Sequence, residues 1–272
     1  MTAILSWFNK EKGTLPYIMT VGDTKISNGE DTLTLEGAKI LELPIRCKDL
    51  STPYQEVYFT SSLSFSYAGS ALVGFNVYCA LQTMFSNIGG LKKYNQLPDY
   101  VSLCEKAKDV LFFYSTGIRS PSELVLSGFC PKSEVPFITT IKPVLKDDVL
   151  DYNIFCKTDF SDLVDVIIIG DKKTEILEEI DVQLSNQNKD DSTKYWRTPI
   201  KVLNRIIKEK QFATIGGGMQ MTTVNLFRFE TYSFFADIEG RDFAMKYRNI
   251  DIFEDLGNNL GDCRISITCL EV

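Results

Sequence analysis

The chain opens Met1-Thr2-Ala3-Ile4-Leu5-Ser6-Trp7, and two later runs belong with it: Tyr17-Ile18-Met19-Thr20-Val21-Gly22-Asp23-Thr24-Lys25-Ile26-Ser27 and Gly37-Ala38-Lys39-Ile40-Leu41-Glu42-Leu43. A small residue directly after the initiator Met permits ordinary Met removal, which would leave Thr2 carrying its own α-amine. Asp23 closes one apolar run and Lys39 opens another. A hydroxyl, an amine, a carboxylate and an ammonium at the ends of β-rich runs outline a nucleophile that brings its own base.

Composition removes most rival chemistries. The 272 residues contain no histidine, so Ser-His-Asp and Cys-His triads, HExxH zinc sites and imidazole acid/base catalysis are excluded together. With 44% hydrophobic and 12% aromatic residues the chain can bury a large core. A net charge of −7 with scattered basic residues argues against nucleic acid. No apolar run approaches membrane-spanning length and no signal peptide is apparent, so a cytoplasmic protein with no membrane partner is expected. Seven cysteines without a CxxC pair read as reduced, mostly buried thiols.

Working outward, residues 2–8 and 17–23 are expected as an antiparallel hairpin, followed by a second strand pair, Ala38–Pro44 and Val57–Tyr67. After Ala68-Gly69-Ser70 the spacing turns helical, with Gly89-Gly90 as the stop, and a second amphipathic helix is expected from Pro98 to Tyr114. Residues 117–160, with prolines at 121, 131, 136 and 143, are expected as an insertion, as are 181–205. Val164–Ile169 with Gly170-Asp171 reads as a buried strand and turn, with Thr174–Leu177 as its hairpin partner. Residues 182–195 read as an exposed loop and Pro199–Gln211 as a helix. Phe212–Gln220 reads as strand, glycine turn and helix start, and Arg264–Val272 as a closing strand. No repeat or linker divides the chain, so one domain over 1–272 is expected.

Taken in this order, the elements resemble the proteasome β-subunit family, especially the peptidase component of the two-part bacterial ATP-dependent protease. The residues that carry the resemblance are Thr2, the run Gly22-Asp23-Thr24-Lys25-Ile26-Ser27, Lys39 sixteen positions after Asp23, and Tyr67-Ala68-Gly69-Ser70-Ala71 before the long helix. The Val164–Asp171 strand and the Ile215-Gly216-Gly217-Gly218 turn fall in the same order. The sequence departs from the family at Gly217, where the family carries a serine supporting the nucleophile's amine. It departs again at Gly257–Asp262, which lacks the family's late Asp and Ser.

The resemblance implies an α+β fold, a four-layer αββα N-terminal-nucleophile sandwich with insertions. It implies Thr2 as nucleophile, Lys39 as the ammonium that eases its deprotonation, Asp23 as that lysine's partner, and Gly69 as oxyanion donor. Ser27 would bind substrate backbone, and Tyr67 and Ala71 would line the first specificity pocket. It also implies a peptide or protein substrate, a homo-oligomer in the form of a ring, and an ATP-dependent unfoldase partner. No cofactor or metal is expected. Singly, Asp23 is an ordinary turn former, Lys39 a solvated charge and Gly69 a helix-start glycine; only the joint spacing favours chemistry. The alternative is a catalytically silent structural or interaction subunit of the same fold; hydrolysis of a small amide is a third reading. The carboxylates Asp251, Glu254, Asp255 and Asp262 lack calcium-loop spacing and read as a solvated face.

Overall fold

The computed structural model describes residues 2–29, 31–90, 95–161, 163–188, 191–238, 241–257 and 259–270. Two β-rich runs open it: β1 (Ala3–Asn9) is buried throughout and pairs antiparallel with β2 (Tyr17–Asp23), as expected. A small ribbon follows, β3 (Ile26–Asn28) with β4 (Asp31–Thr34), then the long pair β5 (Ile40–Lys48) and β6 (Val57–Gly69).

Helix α1 (Ala71–Phe85) begins where Ser70 caps it, its hydroxyl accepting from Val73 N at 3.3 Å. It stops four residues before Gly89, which instead lies in β7 (Ile88–Gly89) beside β5. Leu50 packs so closely over Gly89 that a Cβ there would fall 2.2 Å from its side chain. Helix α2 (Tyr100–Ile118) follows, capped by Asp99.

The segment expected as an insertion, 117–160, is a sheet component. It forms β8 (Ser122–Phe129), β9 (Pro136–Lys146) and β10 (Val149–Lys157), and β8 lies directly against β6. Its prolines obey strand rules. Pro121 and Pro131 flank β8, Pro136 starts β9, and Pro143 lies past Ile141, the last β9 residue that β8 pairs, so its missing N–H costs no ladder bond on that side.

Strand β11 (Ile167–Gly170) pairs with β1. Its expected hairpin partner, Thr174–Leu177, is the first turn of helix α3 (Lys173–Ser185), because Ile176 and Ile180, four apart, bury one helical face. The expected loop 182–195 is shortened from both sides, by α3 and by α4 (Ser192–Trp196), whose Tyr195 and Trp196 are core residues. Helix α5 (Thr198–Lys208) is as expected. Residues 212–218 form turns, and the run after them is β12 (Met219–Val224) rather than a helix start, since all six residues are buried between β2 and a further strand. That strand is β13 (Phe229–Ile238), followed by β14 (Arg241–Tyr247) and β15 (Ile250–Asp251).

A π-helical turn Ile252–Leu256, β16 (Asn259–Leu260), β17 (Cys263–Arg264) and β18 (Thr268–Leu270) complete the order. The closing strand is thus shorter than Arg264–Val272, pairs parallel with β13, and residues 271–272 lie outside the described part. Asp251 serves this turn structurally, accepting from Phe253 N and Glu254 N. Among the described residues no group of metal ligands forms and no helix is long and apolar enough to cross a membrane. The cysteines are free, with Cys47, Cys104 and Cys130 buried but Cys79, Cys156 and Cys263 exposed.

The strands form an eight-stranded sheet, β11-β1-β2-β12-β13-β14-β15 with β18 beside β13, and a six-stranded sheet, β10-β9-β8-β6-β5-β7. One apolar cluster, with Phe65, Val77, Leu111 and Phe137, joins α1 and α2 to the six-stranded sheet. A second, with Trp7, Ile176, Leu203 and Met221, joins α3 and α5 to the eight-stranded sheet. A third, with Ile4, Ile18, Val125, Ile138 and Val224, lies between the two sheets. The N-terminus, the end of β2, the start of β5 and the end of β6 meet at one edge of this third cluster.

Candidate active site

Asp23 ends β2 with no exposed surface, and its carboxylate is ligated on both oxygens. Oδ1 accepts from Ala3 N and from Lys39 Nζ, each at 3.0 Å. Oδ2 accepts from Lys25 N at 3.3 Å and Gly216 N at 3.2 Å. The aspartate therefore joins the residue after Thr2, the Lys39 ammonium and the glycine turn at one point. Lys39 precedes β5 and is 1% exposed. Burial pushes its ammonium below the ordinary lysine value against the pull of Asp23, and pushes the Asp23 carboxyl above its ordinary value against Lys39 and the amide donors.

Thr2 is 4% exposed and precedes β1. Its carbonyl accepts from Asp171 N at 2.7 Å. Gly170 makes that approach possible: its φ is +94° and a Cβ would stand 1.9 Å from Thr2 O. The same imaginary Cβ lies 3.3 Å from Ala68 Cβ, which places the end of β6 beside the nucleophile candidate. Met1 lies outside the described residues.

Gly69 follows Ala68 with φ +108°, exposed, against Pro121 O and Ser122. The turn is locked because Ser122 Oγ accepts from Ser70 N at 3.0 Å and donates to Ser70 O at 3.3 Å. No acidic residue occupies the first turn of α1, so its N-terminal dipole is left for an anion.

The expected substrate residues are spread more widely. Ala71, half-buried, begins α1 beside Gly69, and Ser27, half-buried, lies in the β3–β4 ribbon beyond Asp23. Tyr67 is 4% exposed with its ring against Gly74, and its hydroxyl donates to Ala38 O at 2.8 Å. It thereby braces Ala38, the residue before Lys39.

The glycine turn explains the absent serine. Gly217 has φ +77°, and a Cβ would stand 2.4 Å from Leu35 O and 2.5 Å from Thr24 Oγ1. Thr24 clasps this turn instead, its Oγ1 accepting from Gly218 N at 2.7 Å and its N donating to Gly216 O at 3.2 Å. No side chain fits at 217 in this backbone.

Two residues escaped the sequence reading. Gln220 on β12 is 1% exposed; its Oε1 accepts from Lys39 N at 3.0 Å and Ile40 N at 3.1 Å, and its Nε2 donates to Ile40 O at 2.5 Å. The available signal was a long amide inside the otherwise strand-like Met219-Gln220-Met221-Thr222 run. Glu123 on β8 accepts from Gly170 N at 3.1 Å and from Lys173 Nζ at 2.8 Å. It is the one charge in Ser-Glu-Leu-Val-Leu-Ser-Gly-Phe.

No protein-family model matches the sequence, and no curated protein matches it. Solved structures do. Anbu from Hyphomicrobium sp. strain MC1 superposes with a TM-score of 0.53 at 11% identity, over 84% of this chain and 86% of that one. The Anbu (Gly-1) mutant from the same organism gives 0.54 at 10% identity, over 85% and 87%. The chain shares the fold of these Anbu structures, and at such identities the likeness is one of fold alone.

Proposed function

We propose that this chain is a threonine-type peptidase or amidohydrolase whose nucleophile is Thr2, exposed by removal of Met1. The observation that carries the reading is the buried Lys39–Asp23 pair bonded to Ala3 N, the residue next to Thr2. A surface lysine and aspartate gain little from pairing, so burying both beside the N-terminus calls for a reason beyond stability.

In this mechanism the Thr2 α-amine takes the hydroxyl proton as Oγ attacks the scissile carbonyl, and the Lys39 ammonium lowers the cost of the developing alkoxide. The carbonyl oxygen becomes an oxyanion facing the Gly69 N–H and the N-terminus of α1. The protonated amine then gives its proton to the leaving nitrogen, leaving Thr2 acylated, and water reverses the sequence to release the acid. Substrate lies along the β3–β4 ribbon near Ser27, with Ala71 at the first pocket and Tyr67 forming its floor.

The same reading extends to architecture. The three apolar clusters support an αββα order of four layers, and an Anbu-like fold supports a homo-oligomer acting on peptide or protein, with an unfoldase as a partner for folded substrates. The cytoplasm, free of disulfides, suits the free cysteines. Catalytic silence is the competing reading, favoured by Gly217, which places no hydroxyl near the amine.

The test is chemical. Intact mass reports whether Met1 is removed, and a threonine-directed epoxyketone reports whether amine and hydroxyl cooperate. The expected result is a single adduct on the processed chain, lost in Thr2→Ala. A processed wild-type chain that takes no adduct and whose turnover survives Thr2→Ala sinks the proposal.

A further inference from the structure

We propose that Glu123 is a positioning residue for Thr2, acting across the sheet interface through the Gly170–Lys173 turn; this rests on the threonine reading above. The turn is the only described contact that grips the Thr2 carbonyl, through Asp171 N at 2.7 Å. Its backbone takes a conformation that L-residues rarely adopt. Gly170 and Lys172 both have positive φ, +94° and +57°, and Lys172 at the N-cap of α3 makes no side-chain capping bond. Lys173, the first residue of α3, also sets a cation at the positive end of the helix dipole.

Glu123 answers each of these. Its Oε2 takes the Gly170 N–H at 3.1 Å, and both its oxygens take Lys173 Nζ, at 2.8 and 2.9 Å. A second carboxylate thereby joins Glu175 at the start of α3, and the Lys173 cation is paired. Glu123 stands on β8 of the six-stranded sheet, whereas the turn it holds follows β11 of the eight-stranded sheet. Its cross-strand partner is Ala68, and its neighbour Ser122 locks the Gly69–Ser70 turn. Two successive residues of one strand thus set the two halves of the site: Ser122 the oxyanion donor, Glu123 the nucleophile.

The experiment compares wild type, Glu123→Ala and Glu123→Gln on the processed full chain. Three quantities are read: amide hydrogen exchange at Asp171, the epoxyketone inactivation rate separated from its binding constant, and the urea midpoint. Glu123→Ala should speed exchange at Asp171 and slow inactivation on the order of 10–100-fold with the inhibitor's binding constant held. Glu123→Gln keeps an acceptor for Gly170 and should fall between. Labelling of Glu123→Ala at the wild-type rate overturns the proposal and leaves the threonine reading standing. Equal losses in rate and binding, in step with a lower urea midpoint, mean a merely structural role and overturn it too. Should wild type fail to label, the threonine reading falls, and exchange at Asp171 alone decides: faster exchange in Glu123→Ala supports the hold on the turn, and unchanged exchange overturns it.

Discussion

Lys39 Nζ and Asp23 Oδ1 lie 3.0 Å apart, with side chains 2% and 0% exposed, the pair that the joint spacing implied. Taken singly each reads as surface, yet both are buried and bonded to one another. Removing one partner strands the other. Lys39→Met should cost about 3–5 kcal/mol, and the double variant Asp23→Asn with Lys39→Met should recover much of it. The sign with pH follows from the stranded carboxyl. Burial already raises Asp23 above its ordinary value, and loss of Lys39 raises it further. Between the unfolded and folded values the folded state binds the extra proton, so the variant is most stable in acid and loses stability as pH rises through that window. Urea unfolding should give a higher midpoint near about pH 5 than near about pH 8 for Lys39→Met; a flat profile would mean that Asp23 is reached by water. Gly217 marks the opposite case, where φ and the nearness of Leu35 O leave no room for a side chain.

Between elements, the join that matters most to the site is β12 to β5. These strands belong to different sheets, and Gln220 bonds to Lys39 N, Ile40 N and Ile40 O at the point where they meet. Gln220→Leu keeps the volume roughly and removes all three bonds. An unpaired buried backbone group costs about 1–3 kcal/mol, so a loss of at least about 2 kcal/mol is expected by denaturant unfolding. An unchanged midpoint would show that water replaces the amide. The element-level reading from sequence went astray where flanking residues decide. Thr174–Leu177 has strand-like composition, but burial at Ile176 and Ile180 makes it helical; Met219–Gln220 follows glycines like a helix start, but β2 and β13 on either side make it a strand.

At the scale of the whole molecule, the sheet-to-sheet cluster couples the two halves. Ile138 stands in it on the six-stranded side, while Trp7 and Trp196 both lie on the outer side of the eight-stranded sheet, the Trp7 indole donating to Trp196 O at 3.1 Å. Ile138→Ala should cost about 2–5 kcal/mol and shift tryptophan fluorescence and far-ultraviolet dichroism to the same new midpoint. Separate transitions would mean that the halves unfold independently. Local pattern was enough for the β1–β2 hairpin, the β5–β6 pair, both long helices after Gly69 and the Asp23-to-Lys39 spacing, because alternation, helical period and caps are written in neighbouring residues. By itself, then, the sequence determined the nucleophile candidate, its lysine and aspartate, and the exclusion of every histidine-based rival. Only the tertiary structure decided that 122–157 completes a sheet, that Gly170 and Asp171 grip Thr2, and that Gln220 and Glu123 reach into the site from other strands. These contacts join residues 47 to 181 positions apart, and no local periodicity records which distant backbone a buried amide or carboxylate will meet.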